Sequence, residues 1–153
     1  MLAACSRGAK VCAVCQRDEC KAMAFRVMLD NGKTVETCCP RCGLHYVATL
    51  GRTPRALQAT DFATGKWIDA KSAVFVSGSD VSGCSAMESR RDAQGCCLMK
   101  AYDRCLPSLA AFADRSAAAE FQRRHGGELL AFSELSADPT ASVSKEKSNG
   151  GKT

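Results

Sequence analysis

The sequence predicts an α+β protein built from two small ββαβ units. An Asn31-Gly32 turn between two short strand-like runs predicts a β-hairpin. Pro40 follows at the predicted start of an amphipathic helix. The second half then repeats a strand, strand, helix, strand order that ends near Phe132. Strands and helices that recur in this order favour two similar units.

Composition divides the chain into four segments. Residues 11–70 form the cysteine-rich first unit, and residues 71–135 form the second unit with a Cys/Met-rich loop. Residues 1–10 are a lipobox-like N-terminal segment. Residues 136–153 contain almost no large apolar side chain, so we expect a disordered C-terminal tail there.

Length and composition fit a small globular protein with many thiols. The 153 residues are 46% hydrophobic and 24% charged, which allows an adequate core. A chain with such a core does not need a disulfide framework, so its eleven cysteines favour metal or redox chemistry. The net charge of +5 is scattered and no aromatic residues interleave with the basic runs, so we expect no nucleic-acid partner.

The first unit is predicted to begin with a hairpin. Residues 23–29 alternate between apolar and other side chains, and Asn31-Gly32 tolerates the positive φ of a tight turn. The apolar pattern favours a register with Val27 opposite Thr37. This hairpin returns the chain towards its start and so brings the cysteines on either side of it together.

Five cysteines bracket the hairpin and are candidate metal ligands. They are Cys12, Cys15, Cys38, Cys39 and Cys42. Pro40 places Cys39 near the N-cap of the helix and Cys42 one turn in, where the helix dipole lowers the pKa of a thiol. Thiolate is the form that binds metals, so the sequence predicts a thiolate metal site.

The rest of the first unit is less patterned. Residues 52–64 are interpreted as a connector with a short helical stretch at 56–61. A strand-like run at 67–70 would close the first unit, and the nearly all-apolar run 73–76 would open the second.

The second unit has clear boundaries. We predict a strand at 109–112 and a helix at 115–125, capped by Asp114 and ended by Gly126. A returning strand at 129–132 completes the unit.

A long irregular loop, residues 77–102, carries further soft ligands. Polarizable thiol and thioether groups favour Cu(I), and Cys96, Cys97 and Met99 lie within four residues of one another. Loops of this length inside a domain are typically functional or disordered. We therefore count these three residues among the candidate metal ligands.

Other cysteines and the two histidines are weaker candidates. The isolated Cys20, Cys84 and Cys105 are interpreted as buried or disulfide-bonded residues. His45 is a spare ligand one helical turn after the cysteine motif. His125 suits the C-terminal end of its helix electrostatically, which favours a structural role.

The first residues resemble a bacterial lipobox. In Leu2-Ala3-Ala4-Cys5 the cysteine follows small residues, as it does where a lipoprotein is lipidated. We interpret Met1 as a late start in a truncated reading frame and Cys5 as the lipid anchor. The expected location is the cell envelope, on the periplasmic or extracytoplasmic side.

The chain resembles the NosL family, nitrous oxide reductase accessory lipoproteins that bind Cu(I). The stretches that carry the resemblance are Cys12-Ala13-Val14-Cys15, Asp30-Asn31-Gly32, Ile68-Asp69-Ala70, residues 73–78 and residues 111–132. The resemblance implies a fold akin to that of organomercurial lyase and a role in copper supply rather than catalysis. By position, the CxxC of the family matches Cys12 and Cys15, and its methionine matches Met99.

Three functions remain open from the sequence. The first is a Cu(I)-binding accessory protein that delivers copper to a client such as nitrous oxide reductase. The second is a structural Zn(II) site, since the paired CxxC motifs are also similar to TRASH-type treble-clef modules. The third is a thiol-disulfide oxidoreductase using Cys39 and Cys42, which we disfavour because no thioredoxin-like βαβ unit precedes them. We expect no enzymatic activity.

Overall fold

Two antiparallel β-sheets, each packed against one helix, form the part of the chain that the structure describes. The structure is a computed structural model that describes residues 10–17, 19, 21–81 and 105–135. Its two sheets and two helices confirm the predicted α+β class. The predicted tail at 136–153 lies outside the described residues.

The first sheet has the strand order β2-β1-β3-β4. Its strands are β1 (Phe25–Met28), β2 (Thr34–Thr37), β3 (Ala56–Thr60) and β4 (Trp67–Asp69). Side chains alternate along β1, so Phe25 and Val27 are fully buried while Arg26 stays partly exposed. Arg26 lies over the Trp67 ring at 3.8 Å from its centroid, which covers the outer face of the sheet.

The register of the β1–β2 hairpin differs from the predicted one. Val27 pairs with Val35, so the predicted pairing with Thr37 is wrong. The cause is the turn: Gly32 has φ 79° and its N–H donates to the Leu29 carbonyl at 3.0 Å. A glycine in this left-handed conformation lets residues 30–32 close the turn, and the Leu29 N–H donates to the Lys33 carbonyl at 2.8 Å.

The predicted helical stretch at 56–61 is also wrong, because these residues form β3 (Ala56–Thr60). Leu57 and Ala59 alternate into the core, and β3 pairs with the open edge of β1. Burial of these side chains outweighs a local helical preference. The strand that follows the helix in the first sheet is therefore β3, and Trp67–Asp69 forms the outer edge.

The second sheet has the order β6-β5-β7. Its strands are β5 (Val74–Ser77), β6 (Leu109–Phe112) and β7 (Glu128–Ala131). Helix α2 (Arg115–His125) packs on it and begins as predicted, since the Asp114 carboxylate accepts hydrogen bonds from the Ser116 and Ala117 N–H groups. Gly126 has φ 72° and ends α2.

A few hydrogen bonds and one β-bridge join the two sheets. Asp61 and Ala111 form an isolated parallel bridge, and the Phe62 N–H donates to the Ala111 carbonyl at 2.8 Å. The Asp61 carboxylate also accepts from the Ala113 N–H at 3.3 Å. These contacts hold β6, and Ala113 just after it, beside the first sheet. The division of the chain into two folding units stays a prediction.

Helix α1 (Pro40–Thr49) packs closely on β1. It begins at Pro40 after an extended Cys39, as the sequence predicts, and Gly51 with φ 64° follows its end. At Gly43 an added Cβ would lie 2.2 Å from Cδ1 of Phe25. A side chain there is excluded because the Phe25 ring is fully buried and cannot move aside.

Neither helix of the described segments has the length and apolar character needed to cross a bilayer.

Replacing Gly43 by alanine should destabilise the protein. Alanine is the better helix former by about 1 kcal/mol, but overpacking against Phe25 costs about 1–3 kcal/mol and should decide the sign. Urea unfolding followed by circular dichroism measures the change. The double variant with Phe25→Leu should recover part of the Gly43→Ala loss. A Gly43→Ala protein more stable than the parent would contradict the close approach.

Candidate metal centre

Six cysteine side chains meet at the N-terminus of α1. They are Cys12, Cys15, Cys38, Cys39, Cys42 and Cys105, all present as thiols rather than disulfides. Five of the six are buried, and Cys15 is half-buried. Their sulfur atoms therefore form a single buried cluster that approaches the surface at Cys15.

The first two cysteines lie on a tight turn. The Cys12 N–H donates to the Arg17 carbonyl at 2.9 Å, and the Gln16 N–H donates to the Cys12 carbonyl at 3.0 Å. Gln16 has φ 62°, which closes the turn. The Val14 N–H lies 3.4 Å from the Cys12 sulfur and donates to it. A backbone donor aimed at sulfur favours the thiolate form of Cys12.

The next three cysteines follow from the end of β2. Cys38 leaves the strand, Cys39 is the N-cap of α1 and Cys42 lies in its first turn. The Thr37 hydroxyl donates to the Cys39 carbonyl at 3.1 Å and fixes this junction. The N-terminus of α1, which is the positive end of the helix dipole, lies in the same region and favours thiolates there.

Cys105 comes from the second half of the chain and is held in place by Arg41. The Arg41 side chain is only 5% exposed. Its Nε donates to the Pro107 carbonyl at 3.3 Å, and its Nη2 donates to Oγ of Ser77 at 3.2 Å. Arg41 lies between Cys39 and Cys42 in the sequence. Its hydrogen bonds therefore connect the segment that carries Cys105 to the start of α1.

The distances between the sulfur atoms fit metal coordination. The Cys38 sulfur lies 3.4 Å from that of Cys15, 3.6 Å from Cys105, 3.7 Å from Cys42 and 3.8 Å from Cys39. Metal–sulfur bonds of about 2.3 Å place the ligands of a tetrahedral site about 3.8 Å apart. The thiols therefore stand at coordination spacing without rearrangement.

Two sets of four sulfur atoms are compact enough to surround an ion. Within each set all sulfur atoms lie within 4.8 Å of one another. One set is Cys12, Cys15, Cys38 and Cys42, and the other is Cys38, Cys39, Cys42 and Cys105. Thiolate donors of this kind select soft cations such as Cu(I), and also Zn(II).

Crowding makes the thiols ionise unequally. Hydrogen bonds from Cys38 and Cys42 lower the pKa of Cys12. The pKa values of Cys38 and Cys42 are raised, first by their hydrogen bonds with Cys105 and then by those with Cys12. Burial raises the pKa of Cys15 to about 11. Among these four thiols, Cys12 is therefore the one that ionises most readily.

The structure brings together all five cysteines that bracket the hairpin and adds one that the sequence does not single out. The sequence favours a structural role for Cys105, but its sulfur lies 3.6 Å from Cys38 and 3.7 Å from Cys42. No spacing motif links Cys105 to the others. The available signal is its position just before the buried strand β6, which packs beside α1.

Several candidate residues lie outside the described residues. They are Cys96, Cys97 and Met99 of the long loop, and the proposed lipid anchor Cys5. The isolated Cys20 and Cys84 also lie there.

The histidines stand apart from the sulfur cluster. The two ligand sets formed by the described residues consist of cysteine alone, so His45 belongs to neither. His125 ends α2, where its Nδ1 lies 2.9 Å from the Asp80 carboxylate. This contact and the helix C-terminus suit the structural role expected for His125.

Metal affinity should rise with pH. The raised pKa values of Cys15, Cys38 and Cys42 mean that a bound ion displaces their protons at neutral pH. Below those pKa values the affinity should increase by about tenfold per pH unit for each proton displaced. Competition against a chelator of known pH dependence measures the slope. Cys15→Ser should reduce the slope, and a pH-independent affinity would contradict this ionisation pattern.

Loss of Arg41 should expose Cys105. Arg41→Met removes two hydrogen bonds worth about 1 kcal/mol each and so favours opening of the segment before β6. We expect the alkylation rate of Cys105, followed by mass spectrometry, to rise about tenfold. The exposed Arg124→Met is the matched control and should leave the rate unchanged. Equal rates in both variants would rule out a positioning role for Arg41.

Comparison with known proteins identifies a related fold. The crystal structure of the copper chaperone NosL from Shewanella denitrificans superposes with a TM-score of 0.59, at 17% sequence identity, over 83% of this chain and 90% of that chain. No family model matches the sequence, and no curated protein matches it. The likeness establishes a NosL-like fold with two antiparallel sheets and two helices.

Proposed function

We propose that this protein is a Cu(I)-binding accessory protein that passes copper to a partner metalloenzyme. The observation that carries the proposal is the cluster of six buried or half-buried thiols within a NosL-like fold. The protein with the similar structure is described as a copper chaperone. Thiol chemistry and fold therefore support the same function.

The donor set favours a soft cation. In the part of the chain that the structure describes, each four-ligand set offers sulfur alone, with neither carboxylate nor imidazole. Thiolate ligands prefer Cu(I) over harder cations. The proposed ligands are Cys12, Cys15, Cys38, Cys39, Cys42 and Cys105. Further proposed ligands outside the described residues are Cys96, Cys97 and Met99.

Uneven burial of the cluster supports metal transfer. Cys15 is half-buried on a turn whose neighbours Ala13 and Gln16 are exposed, whereas Cys38 and Cys42 are fully buried. A ligand of a partner protein can approach the metal from the Cys15 side without unfolding the core. Copper can then pass by ligand exchange, one sulfur at a time.

The cellular context is also part of the proposal. A lipid anchor on Cys5 would place the protein at the cell envelope, on the periplasmic or extracytoplasmic side. The proposed partner is a copper enzyme such as nitrous oxide reductase, or another copper-handling protein. These features are supported by the lipobox-like sequence and the family resemblance.

A structural Zn(II) site is the second candidate. The sulfur atoms lie near the spacing of a tetrahedral site, and the second set joins the helical cysteines to Cys105 across the two sheets. A metal there would hold the halves of the chain together. A disulfide oxidoreductase is not supported, because Cys39 and Cys42 are buried and the pKa of Cys42 is raised.

Metal competition distinguishes these functions. Reduced protein, prepared without oxygen, is titrated with Cu(I) against a chromogenic chelator and in parallel with Zn(II). We expect Cu(I) to be retained and to displace Zn(II), and the double variant Cys12→Ser with Cys15→Ser to lose Cu(I) to the chelator. If the rate at which copper moves from the protein to the chelator rises with chelator concentration, transfer occurs by ligand exchange.

Two outcomes would argue against copper delivery. One is tight Zn(II) retention with loss of Cu(I) to the chelator. The other is a copper-loaded protein whose transfer rate is independent of chelator concentration, since spontaneous release would then precede transfer. Met99→Ala tests the ligand proposed from the long loop. An unchanged Cu(I) affinity in that variant would exclude Met99.

A further inference from the structure

We infer that the six clustered thiols form a single two-metal centre in which Cys38 and Cys42 bridge two metal ions. The inference rests on the proposed Cu(I) function and adds the number of ions and the role of each thiol. It follows from how the two four-sulfur sets overlap.

The two sets share one edge. Cys38 and Cys42 belong to both, and their sulfur atoms lie 3.7 Å apart. Cys12 and Cys15 complete one set, whereas Cys39 and Cys105 complete the other. When two four-coordinate sites share an edge, the two shared ligands bridge the ions. A thiolate sulfur has lone pairs enough to bind two soft cations at once.

The sets lie side by side and are not separate sites. The Cys15 sulfur of one set lies 3.9 Å from the Cys105 sulfur of the other. The Cys105 sulfur in turn lies 3.6 Å from that of Cys38 and 3.7 Å from that of Cys42, so the sulfur atoms of Cys15 and Cys105 both lie beside the shared edge. Ions bound in both sets would therefore belong to one continuous sulfur cluster.

A single ion leaves part of the cluster unexplained. The set with Cys12 and Cys15 is a complete four-thiol site by itself. Cys39 and Cys105 are nevertheless buried, at 3% and 4% exposure. Their sulfur atoms lie within 4.8 Å of those of Cys38 and Cys42, which is close enough for the four to bind one ion. A second ion gives these two thiols the same role as the first two.

Charge favours two cations over one. Several thiolates held close together in a buried site repel one another strongly, because the local dielectric is low. Each added cation offsets part of this repulsion.

Copper counting on the full chain tests the centre. Cu(I) is added without oxygen to reduced protein in the presence of a chromogenic chelator, and native mass spectrometry counts the ions per chain. The chain used retains the six clustered cysteines, so that other thiols cannot contribute. The substitutions it carries are Cys5→Ser, Cys20→Ser, Cys84→Ser, Cys96→Ser and Cys97→Ser.

We expect two copper ions per chain and a copper–copper signal in X-ray absorption spectra, which thiolate bridging produces. Saturation at one ion, or at more than two, would overturn the two-metal centre. Two ions without a copper–copper signal would overturn it as well, because the ions would then occupy separate sites. These measurements need no change to the six clustered thiols.

Two double variants of the same six-cysteine chain test the assignment of thiols. Cys39→Ser with Cys105→Ser leaves the first set complete, and Cys12→Ser with Cys15→Ser leaves the second. Each folded variant, checked by circular dichroism, should retain one copper ion and lose the copper–copper signal. Retention of two bridged ions by either variant would overturn the assignment.

The outcome separates this inference from the proposed function. If the unsubstituted chain loses Cu(I) to the chelator while the six-cysteine chain binds two Zn(II) ions with a zinc–zinc signal, the copper function fails and the bridged architecture stands. If one Cu(I) ion is held tightly, the copper function stands and the two-metal centre fails.

Discussion

The sulfur cluster depends on the buried hydrogen bonds of Arg41. This side chain projects from the first turn of α1 and donates to the Pro107 carbonyl and the Ser77 hydroxyl, both in the second half of the chain. A buried guanidinium without such partners would be costly, so the halves of the chain are held in one arrangement. In that arrangement Cys105 reaches cysteines that lie more than 60 residues earlier.

Local signals account for most of the fold. The capped helix at Arg115–His125, the apolar strand at Leu109–Phe112 and the proline at the start of α1 were predictable because capping, hydrophobic pattern and backbone preference act over a few residues. The strand at Ala56–Thr60 was not, since it exists by pairing with β1. The hairpin register was missed because the left-handed Gly32 fixes it.

The same distinction applies to the metal centre. Cys12 with Cys15, and Cys39 with Cys42, carry the CxxC spacing that indicates thiol chemistry in the sequence. Cys105 carries none, because its proximity depends on how the second sheet packs against the first. The Cys105 sulfur adds a further ligand to those of the two CxxC motifs. The number of ligands in such a site is thus a property of the tertiary structure.

The sulfur atoms of Cys15 and Cys105 come from residues 90 positions apart and lie 3.9 Å from each other. Ions bound in the two sets that contain these residues, linked through Cys38 and Cys42, would act as a reversible cross-link around most of the folded chain. By analogy with disulfides, closing a loop of this length restricts the unfolded chain by about 4–5 kcal/mol. The metal-bound protein would then resist proteolysis, whereas the protein without metal would be degraded more readily. Metal binding would thereby set the lifetime of the protein.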